Sequence, residues 1–146
     1  MSETMHIHAS LVAIDGKGVL LCGKSGMGKS DLAFRLIENK SAQLVADDVV
    51  DLFISEDVLY GKAPDKLKGF LEVRGVGIYS YKYLDKIQIS LIVNLVDDIS
   101  MVERLPFETK RTLLGIDVEE YNLYQREISA AEKIQLMLRD KRYKIA

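Results

Sequence analysis

The segment Gly23-Lys24-Ser25-Gly26-Met27-Gly28-Lys29-Ser30 constrains this chain more than any other. It fits the pattern G-x-x-x-x-G-K-[ST], which works in one structural setting. A buried strand must deliver the backbone to the first glycine, and a helix must begin at the lysine. The amides between them turn inward on an anion, which the helix N-terminus also attracts. Lys29 adds a point charge suited to β/γ-phosphates, and Ser30 a hydroxyl suited to Mg²⁺. The flanks comply. Lys17 to Cys22 is an apolar strand, and Leu32, Ala33, Leu36 and Ile37 recur at helical spacing through about Asn39. Gly23 to Ser30 is therefore the candidate nucleotide-phosphate site. The fold class is α/β, a P-loop-containing mixed sheet with flanking helices.

Upstream, Ile7 to Ile14 forms a second strand, joined to the first by Asp15-Gly16, a favoured two-residue hairpin turn. That turn sets a register: Ile14 opposite Lys17, Leu11 opposite Leu20, His8 opposite Gly23. His8 then stands beside the first glycine of the loop and becomes a candidate catalytic residue, whereas His6 falls beyond the pairing. Downstream, Gln43 to Ala46 is a short strand ending at Asp47-Asp48. P-loop enzymes place the acid that holds Mg²⁺ at such a strand end. Adjacent aspartates in extended backbone point to opposite faces, so the two cannot do the same job unless the chain turns there. One can attend the metal while the other takes a proton from an attacking hydroxyl.

Val49 to Ile54 and Val58 to Lys62 read as a hairpin across Ser55-Glu56-Asp57. Leu71 to Ile78 reads as a strand with Glu72 and Arg74 on one face and two glycines allowing close backbone approach. Spacing leaves two readings open: a surface salt-bridge strand, or an additional Mg²⁺ carboxylate with an arginine aimed at phosphate. Ile87 to Val96 is a long apolar strand expected at the centre of the sheet, followed by an Asp97-Asp98 turn. Lys110 to Leu114 and Ile116 to Val118 are strand pieces around Gly115. Ser129-Ala130-Ala131-Glu132 has capping-box spacing and opens a helix with Ile134, Met137 and Leu138 inward. Arg139 to Lys144 is expected to be a solvated helix end.

A length of 146 residues suits a single domain, 1–146. Twenty basic and 22 acidic side chains, net −2, give no reason to expect nucleic-acid binding. No apolar run reaches the ~18 residues of a membrane span, and Met1-Ser2-Glu3-Thr4 lacks the features of a secretory signal. The single Cys22 excludes an internal disulfide and fits a reducing compartment. A cytoplasmic protein is expected. The guanine-reading Asn-Lys-x-Asp element is absent, since Asn39-Lys40 is followed by Ser41-Ala42.

His8-Ala9-Ser10, the loop Gly23 to Ser30, Val45-Ala46-Asp47-Asp48 and Leu71-Glu72-Val73-Arg74-Gly75-Val76-Gly77-Ile78 occur in an order that resembles the HPr kinase/phosphorylase family. The resemblance covers roughly residues 6 to 96. It implies a fold related to phosphoenolpyruvate carboxykinase. It also implies an ATP- and Mg²⁺-dependent kinase acting on a serine of HPr, the phosphocarrier of the sugar phosphotransferase system. By the same resemblance Asp47 is the proton acceptor, and the proton donor in the reverse, phosphorolytic reaction. Lys29 and His8 match phosphate-facing catalytic residues. Ser30 and Glu72 match Mg²⁺ ligands with Asp48 beside them, and Arg74 lies in a segment used by both reactions. The family forms homo-oligomers. Its full-length members carry an additional N-terminal domain, and the shorter form here resembles truncated members. The family's Gly-Arg-Asn group is not recognisable in this chain, and Arg104 and Arg111 are the nearest candidates for its arginine.

Two rival readings remain. A small-molecule kinase or nucleotide hydrolase also uses this loop, although no arginine-rich lid is visible. A catalytically inactive nucleotide-sensing module retains the loop without the family's later arginine.

Overall fold

The computed structural model describes residues 3–139 and 141–146. Two long strands give the fold its shape, because each belongs to two sheets. The first, β1 (Thr4–Ile14), turns at Asp15-Gly16 into β2 (Lys17–Cys22), and both turn residues have positive φ, as a type I′ turn demands. Ile14 stands opposite Lys17 and Leu11 opposite Leu20, the register expected from the sequence. The ladder ends at Ala9–Cys22, one pair short of His8–Gly23. β1 also begins earlier than expected, at Thr4, and its first half pairs with another strand.

From the loop the chain enters α1 (Lys29–Lys40), then β3 (Gln43–Ala46), β4 (Val49–Ser55) and β5 (Val58–Lys62). A small hairpin follows, β6 (Phe70–Val73) and β7 (Gly77–Ser80). The second long strand, β8 (Ile87–Val96), precedes β9 (Thr109–Leu113), β10 (Ile116–Tyr124) and α2 (Ala130–Met137). β8 is central as expected: parallel to β2 on one side and β10 on the other, with its first residues antiparallel to β5. The pairings β2–β1–β4–β5–β8–β2 close on themselves, so the sheet coils around an interior.

Two apolar clusters follow from the period-2 alternation of the strands. In β2, Leu20 and Cys22 face the interior with Leu11, Val50, Leu52, Leu59 and Ile92. Val19 and Leu21 face outward, where Leu32, Ala33 and Leu36 of α1 and Ile134 of α2 cover them. Leu36 and Ile134 are fully buried, each worth about 1.5–3 kcal/mol of transfer free energy. Met137 and Leu138 pack on the same cluster, as their helical spacing predicted.

Three expectations need correction. Leu71 to Ile78 is not one strand, because β6 stops at Val73 and the chain turns through Arg74-Gly75-Val76, with Val76 N–H donating to the Val73 carbonyl. Glu72 and Arg74 therefore do not share a strand face, and Gly75, at φ 83 with open space around it, serves the turn and not a close approach. The capping box at Ser129 does not form. Ser129 has φ −93 and ψ 22, not the extended backbone that aims a cap hydroxyl at the first-turn amides, and Glu132 instead pairs with Lys40 of α1. The basic end is exposed as expected but is not the end of α2, which stops at Met137: Lys141 pairs with Glu119, and Lys141 and Lys144 lie over the Tyr121 ring at 5.5 Å. Asp140 of that segment lies outside the described residues.

Candidate functional site

The phosphate loop leaves β2 at Gly23, whose φ of 147 suits glycine and whose Cα side lies against the Leu95 carbonyl of β8. Lys24, Ser25 and Gly26 are exposed, while Met27 is anchored on the helix-side cluster. Gly28 is the N-cap of α1 at φ 89, and no side chain caps the helix. The first-turn amides of α1 thus keep their hydrogen-bonding capacity at the positive end of the helix dipole.

Lys29 is only 9% exposed, and a buried ammonium requires partners. Its Nζ donates to the carbonyl oxygens of Gly23 at 2.7 Å and Lys24 at 3.2 Å, which draws the start of the loop onto the start of α1. An ammonium has three donors, so one remains for an anion in the loop. The donors present suit a polyphosphate: a lysine ammonium and uncapped helix amides.

Asp47 is the hub of the site. Its Oδ1 accepts from Ser30 Oγ at 2.6 Å and from Ser10 Oγ at 2.8 Å, and its Oδ2 accepts from the Glu72 amide at 3.3 Å. Because Ser30 spends its proton on Asp47, its oxygen lone pairs face away from that bond and are free for a cation. An ionised carboxylate has about four acceptor positions, and three are used here, which leaves one on Oδ2.

The chain does turn at the aspartate pair. Val49 N–H donates to the Asp47 carbonyl at 2.8 Å across Asp48, whose φ is 71, the rarer hand of γ-turn. Asp47 is thereby buried and Asp48 exposed. No hydrogen bond or ion pair engages the Asp48 carboxylate among the described residues. The register against β1 continues unchanged through the turn, with His8 opposite Val49 and Leu11 opposite Ala46, so Ser10 faces Asp47. His8 is exposed, two residues from Ser10 and so on the same strand face. His6, read from sequence as lying beyond the pairing, stands opposite Asp51 and is hydrogen-bonded to it.

The expected residues are thus distributed unevenly. Ser30, Asp47 and the Glu72 backbone are drawn together, while the Lys29 ammonium is held on the loop's Gly23 and Lys24 carbonyls. The exposed Glu72 side chain starts from that contact, Arg74 sits out in the hairpin turn, and Asp48 points to solvent. Among the described residues no three His, Cys, Asp or Glu side chains form a cluster of metal-holding geometry. Ser10 was missed as a functional candidate; the available signal was a hydroxyl in the otherwise apolar run Ala9 to Ala13.

A second polar cluster joins β8, β9 and β10. Arg111 Nε donates to Glu120 Oε2 at 2.8 Å and its Nη2 to Asn94 Oδ1 at 2.7 Å, while Asn94 Nδ2 donates to Glu120 at 2.8 Å. Asn94 is paired in register with Cys22, the residue before the loop. Burial raises the Cys22 thiol above its ordinary value, against the lowering pull of Arg111 and Lys29, which suits a packing role. Arg104 is exposed beyond β8 and makes no ion pair among the described residues.

No helix among the described residues is long and apolar enough to cross a membrane. Residues 1–142 match the family model for the HPr Serine kinase C-terminal domain. The chain is 44% identical over 125 residues to the HPr kinase/phosphorylase of Peptoclostridium acidaminophilum, covering 83% of this chain and 39% of that protein. It is 40% identical over 131 residues to that of Leptothrix cholodnii, covering 82% and 40%. The chain therefore spans about two fifths of the length of these curated relatives. Among solved structures, the Hpr(Ser) kinase/phosphatase from Coxiella burnetii matches with a TM-score of 0.83 and 27% identity, over 94% of this chain and 90% of that one. The coiled mixed sheet with flanking helices is thus the fold of that enzyme, and this chain belongs to the HPr serine kinase C-terminal domain family.

Proposed function

We propose that this domain is an ATP- and Mg²⁺-dependent protein-serine kinase acting on HPr in the cytoplasm, with phosphorolysis as its reverse reaction. The observation that carries the reading is the joint burial of Lys29 and Asp47, each with one hydrogen-bonding position left open. One is a donor for phosphate and the other an acceptor for a hydroxyl proton.

In this reading the loop amides and Lys29 hold the β- and γ-phosphates and stabilise charge as the γ-phosphoryl group moves. Ser30 and Glu72 would hold Mg²⁺, with Asp48 beside them, and the bound metal would supply neutralisation of phosphate charge. Asp47 takes the proton of the incoming serine at Oδ2, while Ser10 and Ser30 keep Oδ1 occupied. His8, on the same face, contacts phosphate, and Arg74 on the β6–β7 turn meets the incoming protein.

Incubation with labelled ATP, Mg²⁺ and purified HPr tests the reading. Label on an HPr serine supports it. Release of free phosphate alone supports a hydrolase, and nucleotide binding without turnover supports a sensing module.

A further inference from the structure

Among the described residues, the buried polar or charged ones are Ser10, Lys29 and Asp47, and all three lie at this site. The phosphate loop and the strand-end carboxylate account for two of them. Nothing in the loop chemistry calls for the third. Ser10 is completely buried, in a strand whose neighbours are Ala9, Leu11 and Val12, where an alanine would pack without leaving a polar group to satisfy. Its hydroxyl donates to Asp47 Oδ1 at 2.8 Å, and the β1 register places it there.

We propose that Ser10 is a positioning residue that fixes the orientation of the Asp47 carboxylate. The claim rests on the reading of Asp47 as the proton acceptor. Oδ1 has two hydroxyl donors of different character. Ser30 stands in the first turn of α1, directly after the loop, and its oxygen is also the one offered to a bound cation. Ser10 belongs to β1, which is paired on both edges, and so does not depend on the loop's occupancy. With Oδ1 pinned from the rigid side, Oδ2 is held toward the Glu72 amide and its open acceptor position stays in one place. Without Ser10 the carboxylate loses its tie to β1, and Oδ1 is oriented by Ser30 alone. Misplacing a reacting group by about 1 Å costs on the order of 100-fold in rate.

Two measurements test this, one of rate and one of geometry. With ATP, Mg²⁺ and HPr, Ser10→Ala is expected to lower kcat by about 10–100-fold while KM for ATP changes by less than about threefold. Ser10→Thr, which keeps the hydroxyl, is expected to recover most of kcat. A crystal structure of Ser10→Ala should show the Asp47 carboxylate rotated or split between two rotamers. A kcat near the parent value, or an Asp47 carboxylate unmoved with its Ser30 and Glu72 contacts intact, overturns the proposal. So does a folded Ser10→Thr variant no faster than Ser10→Ala. If Thr does not fit the buried strand, the Ser10→Ala structure decides alone. Should the parent protein itself fail to label HPr, the kinase reading falls, while the geometric test of Ser10 still stands.

Discussion

Lys29 Nζ donates to the Gly23 carbonyl at 2.7 Å, so the lysine near the end of the candidate phosphate loop also holds the loop's first residue in place. Losing the side chain removes the brace across the loop and, on the proposed reading, the charge that stabilises a transferring phosphoryl group. Lys29→Met, which keeps most of the buried stem, is expected to lower phosphoryl transfer roughly 10²–10³-fold. The checking measurement is labelled-ATP transfer to HPr alongside nucleotide binding, and transfer within a few-fold of the parent would remove Lys29 from the mechanism.

Asp47→Asn separates proton acceptance from architecture. An asparagine can keep its oxygen toward one set of donors only. With the amide nitrogen at the Oδ1 position, the Ser10 and Ser30 hydroxyls can rotate to accept from it. With the nitrogen at the Oδ2 position, it meets the Glu72 N–H, donor against donor. The first arrangement is tolerable, so the protein should fold with a loss of about 1 kcal/mol. Transfer should fall roughly 10²–10⁴-fold because the acceptor is gone, while binding of ATP with Mg²⁺ stays largely intact. A variant that still phosphorylated HPr at near the parent rate would show that another group takes the proton.

The two-residue hairpin at Asp15-Gly16 was legible because its residues are those that tolerate positive φ, and its register followed without further information. The turns at Glu56-Asp57 and Leu114-Gly115 also have two positive-φ residues, but glutamate and leucine there run against local preference, so the strands on either side impose the turn. β10 was cut short at Val118 for a similar reason. Its second half, Glu119-Glu120-Tyr121-Asn122, loses the apolar pattern because those side chains pair with Lys141, Arg111 and Asn94 on other elements. The aspartate pair could be read as a place where chemistry happens. Which aspartate is buried depended on the γ-turn at Asp48, which no spacing announces. For Ser10 the sequence offered only a hydroxyl in an apolar run, because its partner Asp47 is reached across the β1 register.

The Arg111–Glu120–Asn94 cluster predicts a response to acid. Burial pushes the Glu120 carboxyl upward, but hydrogen bonds from Asn94 and Arg111 and the Arg111 charge outweigh it and hold the pKa below the ordinary 4.5. A lowered folded-state pKa means the unfolded chain binds the proton first. The stabilisation is therefore complete above the ordinary value and lost as pH falls through the folded one. Glu120→Gln should lower the thermal midpoint at pH 6 and flatten its decline between about pH 5 and 3 relative to the parent. Equal slopes for the two proteins over that range would show that the cluster is not linked to folding.

Gly18 and Gly61 have different neighbours, and their alanine variants should differ in cost. A Cβ on Gly18 would fall inside contact distance of the Gln88 carbonyl, which is backbone of β8 and cannot move without breaking the β2–β8 pairing that carries the loop. At Gly61 a Cβ would meet side-chain ends, Leu11 Cδ2 at 2.6 Å, Ile89 Cδ1 at 3.0 Å and Val50 Cγ1 at 3.1 Å. Those methyls belong to the interior cluster and can repack in part. Gly61→Ala is expected to cost roughly 1–3 kcal/mol, the usual range for overpacking a core. Gly18→Ala should cost more, and should also weaken nucleotide binding, because the strand it displaces leads directly into Gly23. Denaturant unfolding of both variants with a nucleotide titration checks the ordering. If Gly18→Ala proved the milder of the two, the β2–β8 contact would not be what sets the position of the loop.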